Sequence, residues 1–403
     1  MKLIQPFAGW RPRPGLAAEV AAPPYDVLSS QEARQLVKDH PHSFLYVSKA
    51  EIALDPSLSP YDEQVYQTAA ERFAAMQREG ILRQEATPCL YIYQLTLGQR
   101  RQTGVVAAAS IAAYRNERIR KHELTRPDKE NDRTRLAEVL AAHSGPVFLI
   151  SRQDQHLDRM VEQIQQASPP NEAFLADDGV HHALWVVSEP HLIEQLVDRF
   201  EQHPRLYIAD GHHRSAAAAR VAERHAHADR FLAVIFPENQ LQILDYNRVV
   251  KDLRGLSTQA FLQAVAERFR ITPAPSAVAP KERHTFALYL PGQWYQLTLA
   301  AEWIDESDPL SSLDVALLDR HLLQPILGIE DPRRDQRIDF VGGVRGTATL
   351  QALVDSGSMA AAFALCPTSL AELLAVADAN KIMPPKSTWF EPKLRDGLVV
   401  QTF

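Results

Sequence analysis

Hydrophobic and polar positions alternate along this chain in blocks that switch between helical and strand periods. Leu206-Tyr-Ile-Ala209 is a short apolar run and predicts a buried strand. Asp210-Gly211 follows as a turn signal. Ser215 to Arg224 is rich in Ala and Arg and predicts a helix. Val65, Ala69, Phe73 and Met76 recur at helical spacing within Tyr61–Glu79, and Gly80 closes that helix. Ser29 or Ser30 reads as an N-cap before a helix from Gln31 to Asp39. Phe44–Val47 reads as a short strand. Leu90–Leu97 and Thr103–Ile111 predict a hairpin around Gly98, and Thr285–Leu290 and Trp294–Leu299 a second around Pro291-Gly292. Further strands are expected at Val147–Ser151, Ala183–Ser188, Arg230–Phe236, Leu241–Tyr246, around Phe340 and at Gly397–Thr402. Further helices are expected at Asp132–Ala142, on both sides of Ala183–Ser188 within 156–203, over 251–270, at Leu313–Leu327 before Gly328, and at Ser369–Ala379. Hairpins interspersed with helices argue for α+β, or mixed α/β, and against a regular doubly wound sheet.

The length of 403 residues suggests two domains. The expected division is 1–255, carrying the strand–turn–helix, and 256–403, an α+β region whose segment 382–394 returns to the site. A net charge of −7 offers no global basic surface, which argues against nucleic acid as a partner. Cys89 and Cys366 are the only cysteines and give neither a disulfide framework nor a metal knuckle. No signal-peptide pattern and no long apolar run is present, so a cytoplasmic protein without a membrane span is expected.

Asp210, Gly211, His212, His213 and Arg214 stand where a strand ends and a helix begins. Backbone N–H groups and the helix dipole make such a junction an anion site, with phosphate foremost. Gly211 permits an unusual φ, and Arg214 supplies a forked cation. Three other stretches carry candidate chemistry. Pro23-Pro24-Tyr25-Asp26 presents Tyr25 and Asp26 on a stiff backbone. His122-Glu123 pairs a potential general base with a partner, and Arg133 follows in the same polar stretch. Lys386-Ser387-Thr388 holds an ammonium and two hydroxyls but lacks the glycines of a phosphate loop.

Taken together and in order, Pro-Pro-Tyr-Asp, His-Glu-x-Thr with Asp132-Arg133, Asp-Gly-His-His-Arg, and Met383-Pro-Pro-Lys-Ser-Thr-x-Phe-x-Pro-Lys393 resemble the DUF1015 family over nearly the whole chain. The Asp-Gly-His-His-Arg stretch also resembles the phosphate-binding signature of the ParB/sulfiredoxin superfamily, which includes the ADP-dependent free serine kinase. That resemblance implies a ParB/sulfiredoxin-like core with elaborations, and phosphoryl transfer on serine or phosphoserine, as a kinase or a phosphatase. It implies that Gly211, His212, His213 and Arg214 cradle phosphate, with Arg133, Lys386, Ser387 and Thr388 completing the clamp and Tyr25 and Asp26 contributing to the site. Glu123, or else Asp26, would activate the attacking oxygen, and His122, His212 or His213 would protonate the leaving one. ADP or ATP, and Mg²⁺ held partly by Asp210, are the implied cofactors. The alternatives are a metal-dependent phosphohydrolase acting on another small phosphorylated metabolite and using His122, Glu123, Asp210, His212 and His213, or a non-enzymatic nucleotide-binding switch.

Overall fold

A computed structural model describes residues 2–277 and 279–403. The chain has a mixed α+β fold and divides into two units. The first holds residues 1–121, 125–241 and 392–403; the second holds 122–124 and 242–391. The boundary falls ahead of the expected 255, because residues 246–250 pair within the second sheet.

The first unit is built on a nine-stranded sheet. Its strands are β1 (Ile4–Gln5), β2 (Leu90–Leu97), β3 (Arg100–Ser110), β4 (Ile119–Arg120), β5 (Val147–Ser151), β6 (Glu172–Leu175), β7 (His181–Val187), β8 (Leu206–Asp210) and β9 (Arg230–Pro237). They run in the order β4-β8-β5-β9-β3-β2-β7-β6, with β1 alongside β3. Two pairs are parallel, β4 with β8 and β5 with β9. One face buries Leu90, Ile92, Val105, Val147, Leu149 and Ile235 against helices that contribute Leu157, Val161, Leu196, Phe200 and Ala218. Those helices are Gln155–Ala167, Pro190–Glu201 and His212–Arg224. Leu206-Tyr-Ile-Ala lies between two strands and is buried throughout, as a continuous apolar run in a central strand should be. A second core collects the helix Glu63–Arg78, whose buried Val65, Ala69, Phe73 and Met76 are the periodic set of the sequence.

The second unit holds a six-stranded sheet, antiparallel throughout. Its strands are β10 (Tyr246–Val250), β11 (Phe269–Ala274), β12 (Thr285–Leu290), β13 (Gln293–Leu299), β14 (Ile338–Gly342) and β15 (Ala361–Leu365), ordered β11-β13-β12-β15-β10-β14. Helices Gly346–Asp355 and Leu370–Asp378 belong to the same unit. No helix among the described residues is long and apolar enough to cross a membrane.

Several local expectations are corrected. Phe44–Val47 is helical, with Leu45–Ser48 closed by Ser48 N to Phe44 O; a four-residue apolar run carries no period that separates helix from strand. The helix expected from Asp132 starts at Pro127, which occupies its first turn where the missing N–H costs nothing. Residues 251–270 split into the helix Thr258–Ala266 and the start of β11. Leu313–Leu327 is an α-turn, Asp314–Leu318, running into a π-helical turn, Asp319–Leu323. The terminal strand is only Gln401–Thr402, with single bridges at Asp396 and Val400.

Asp314 illustrates a cost this fold carries. The carboxyl is buried; one oxygen accepts His284 N at 2.8 Å and the other has no hydrogen-bond partner among the described residues. Burial pushes it up to about 7. Folding therefore retains a proton that the unfolded chain loses near pH 4, and stability falls as pH rises towards 7. Asp314→Asn should stabilise the chain by about 1–3 kcal/mol at pH 8 and by much less at pH 5, measured by urea denaturation. An equal gain at both pH values would show that ionisation is not the cause.

Candidate functional site

The sequence builds the site by ending β8 in a bulge and starting a helix at once. The register against β5 shifts between Ile208 and Asp210, a device that re-aims a strand residue. Gly211 then takes φ +90°, a left-handed conformation that glycine adopts without the penalty of a Cβ. A side chain here would also crowd Arg214, since its Cβ would lie 3.1 Å from the Arg214 Nε. Gly211 is the N-cap of the helix His212–Arg224 and has no side chain with which to cap it. The helix thus starts three residues earlier than its alanine run suggests, and His212, His213 and Arg214 form its first turn.

Asp210 does not cap this helix. One of its oxygens accepts the Gly211 N–H at 2.8 Å, and the other takes the Lys393 ammonium at 3.0 Å. Against its burial, the charges of Lys393 and Arg214 hold the Asp210 carboxyl well below the usual carboxylate range. A carboxylate already neutralised this way does not fit a Mg²⁺ ligand, because the ion would sit against two positive charges. His213 is also engaged: its Nε2 accepts the Arg126 N–H at 3.0 Å, which puts the proton of the neutral ring on Nδ1.

Arg214 points to the C-terminal segment. Its Nη1 lies 3.6 Å from Asp396 Oδ1, and neither atom makes a hydrogen bond among the described residues. Asp396 is 2% exposed. Burial pushes its carboxyl up to about 7; Arg214 and Arg133 pull it down, and the Asp26 charge adds to the rise. The pair borders a cavity of about 30 Å³ that Tyr25, Arg133, Ser144 and Gly145 also line. Gly145 is required by close approach: a Cβ there would stand 2.4 Å from Asp396 Oδ1.

Tyr25 and Arg133 are brought to this cavity as a built pair. The Arg133 guanidinium stacks on the Tyr25 ring at 3.9 Å, pairs with Asp132 at 2.7 Å and donates to Ser48 O. Asp132 in turn accepts from Tyr66 Oη. Arg133 is therefore committed to fixing the Pro-Pro-Tyr loop as well as adding charge. Tyr25 is buried and Asp26 exposed. Burial pushes the Tyr25 phenol up, so it stays protonated.

The remaining candidates belong to the second unit. His122 and Glu123 lie in its 122–124 strip, where Met383 N donates to His122 O at 2.7 Å. Lys386 is exposed at φ +57°, with its ammonium over the Tyr246 ring at 5.6 Å. The Ser387 hydroxyl donates to Pro384 O and its carbonyl accepts from Thr368, while Thr388 follows in the same loop.

Three residues of the first-unit site are not among the sequence candidates: Lys393, Asp396 and Gly145. Lys393 does close the quoted terminal motif, and Asp396-Gly397 repeats the Asp-Gly turn signal of 210–211. Next to them, Arg395 pairs with Asp178 and donates to His182 Nε2, whose Nδ1 then donates to the Tyr93 hydroxyl at 2.7 Å. Burial and the Arg395 charge push His182 down to about 3, so it is neutral.

Comparison with solved structures gives low-identity matches. A free serine kinase in complex with AMP is 12% identical over 71% of this chain and 86% of its own, with a TM-score of 0.36. A conserved hypothetical protein from Pyrococcus furiosus is 13% identical over 74% of this chain and 95% of its own, TM-score 0.37. SbnI with a C-terminal truncation, from Staphylococcus aureus, is 11% identical over 72% and 85%, TM-score 0.39. No curated protein matches. The pattern of the family described as "Protein of unknown function (DUF1015)" matches residues 4–316, and the chain belongs to that family.

Proposed function

We propose that the first unit binds a phosphate group at the turn between β8 and the helix His212–Arg224 and carries out phosphoryl transfer, with serine and phosphoserine as the substrate pair. The observation that carries this reading is the helix start itself. Gly211 at φ +90° starts the helix with no side chain of its own to cap it, and the Arg214 guanidinium stands beside it with Nη1 making no hydrogen bond among the described residues. Backbone donors, a helix dipole and a forked cation at one point are what a phosphoryl group needs for charge neutralisation and positioning. The resemblance of Gly211–Arg214 to the phosphate-binding turn of the ParB/sulfiredoxin superfamily, which includes a free serine kinase, supports serine as the alcohol.

The test is turnover of phosphoserine, with Mg²⁺ as counter-ion to any nucleotide, alone and with AMP or ADP, detecting serine, phosphate and nucleotide separately. Free phosphate without nucleotide means a phosphatase. Phosphorylated nucleotide without free phosphate means a reversible serine kinase. Arg214→Ala should lower kcat/KM about 100-fold, the loss of one or two charge-assisted hydrogen bonds. No product under any condition, or an unimpaired Arg214→Ala, would sink the proposal.

A further inference from the structure

The notch between Arg214 and Asp396 has a chemical shape. One wall is a donor, Arg214 Nη1, and the other an acceptor, Asp396 Oδ1; both lack hydrogen bonds among the described residues and stand 3.6 Å apart. A buried polar atom left unsatisfied is costly, so a native fold holds such a pair for a reason. The cavity they border, about 30 Å³, has room for a hydroxyl-sized group. A hydroxyl donates once and accepts, which complements these two walls. Gly145 keeps the space open, because a methyl there would press on both Asp396 and Arg214.

We propose that Asp396 and Arg214 form a receptor for one alcohol hydroxyl and that Asp396 takes its proton. This rests on the phosphoryl-transfer reading above, with a nucleoside polyphosphate as donor. The O–H bond breaks and its proton passes to Asp396, giving the carboxylic acid. The oxygen's electron pair forms the bond to phosphorus as the bond from phosphorus to the donor's bridging oxygen breaks, and the departing nucleotide keeps that pair. Asp210 is the poorer base, since Lys393 and the Gly211 N–H occupy its oxygens. The groups facing Asp396 are Arg214 from its helix, Arg133 from the helix Pro127–Leu140, Asp26 from the diproline loop and Arg395 on its own segment; Tyr25 and His143 line the cavity. Burial pushes Asp396 up to about 7, where a general base works best at neutral pH.

The test is Asp396→Asn in the full chain, with folding checked by circular dichroism. Expected are a kcat about 10²–10⁴-fold lower, loss of the acidic limb of the pH–kcat profile, and a Kd for inorganic phosphate changed less than about 3-fold. Gly145→Ala, which fills the notch, should lower kcat likewise but keep an acidic limb, since the Asp396 carboxyl remains. Wild-type kcat with an unchanged acidic limb would overturn the proposal. So would joint loss of phosphate binding and kcat, which would make Asp396 only a support for Arg214. A wild type that binds phosphate but turns nothing over defeats the phosphoryl-transfer reading instead. The receptor is then judged by L-serine binding: at least a 10-fold weakening in Asp396→Asn supports it, and unchanged affinity overturns it.

Discussion

Ending the chain at Glu391 should leave the first unit unfolded at 25 °C, although the removed residues 392–403 are a small fraction of it. Leu394, Leu398, Val399 and Val400 are all buried. At about 1.5–3 kcal/mol for each aliphatic side chain, their burial is on the scale of a whole domain's stability. The ordering entropy of the segment offsets part of this, but the surfaces left behind recover nothing. Phe44 is fully buried, and its ring packs so close to Gly397 that no Cβ fits there. Trp10 loses both backbone hydrogen bonds to Val400. Asp210 loses Lys393, Arg214 loses Asp396, and His182 loses Arg395. Stranding one member of a buried charge pair costs about 3–5 kcal/mol. Far-ultraviolet circular dichroism and limited proteolysis would check this. A truncated chain with a protease-resistant first unit and a cooperative melting transition would show that the segment is an accessory.

Such a role for the tail was only partly legible in the sequence. What local chemistry specifies was readable: the buried run Leu206–Ala209, the Asp-Gly turn and the alanine-rich helix lie side by side in the chain, and the structure builds one strand, turn and helix from them. The two hairpins and the helix Glu63–Arg78 were readable for the same reason, because their periods are long enough to count. The edge strand Glu172–Leu175 was not, being four residues long with no countable period, its identity fixed only by pairing to β7. The π-turn at Asp319–Leu323 has no pattern distinct from an α-helix. At the site, the hidden part is what tertiary contact supplies. Lys393 meets Asp210 across 183 positions of sequence. Asp396 reads as one more turn aspartate until burial beside Arg214 gives it another character. Conversely, Arg133 reads as a phosphate ligand, and its stacking on Tyr25 and pairing with Asp132 could come only from the fold.

Asp396 should also govern how the stability of the first unit depends on pH. Its carboxyl is pushed up to about 7 in the fold, chiefly by burial, against an ordinary value of 3.8. Between those values the folded chain holds a proton that the unfolded chain has released. Stability from this group therefore falls as pH rises from about 4 to about 7, and stays low above. The span corresponds to a cost on the order of 4 kcal/mol at pH 8. His143, pushed down to about 4 by burial, and His182, at about 3, act in the opposite direction: each loses stability as pH falls below its ordinary value of 6.5. These histidine contributions persist in Asp396→Asn, so the difference between variant and wild type isolates the aspartate. Urea denaturation from pH 4.5 to 8 should show the variant gaining on the wild type steadily up to about pH 7 and levelling off there. Arg214→Met should move the other way. Without the guanidinium, the Asp396 pKa climbs further and the loss of stability with rising pH extends above 7. A constant difference between Asp396→Asn and wild type across this range would mean that the carboxyl is ionised throughout and that the Arg214–Asp396 contact is an ordinary buried ion pair.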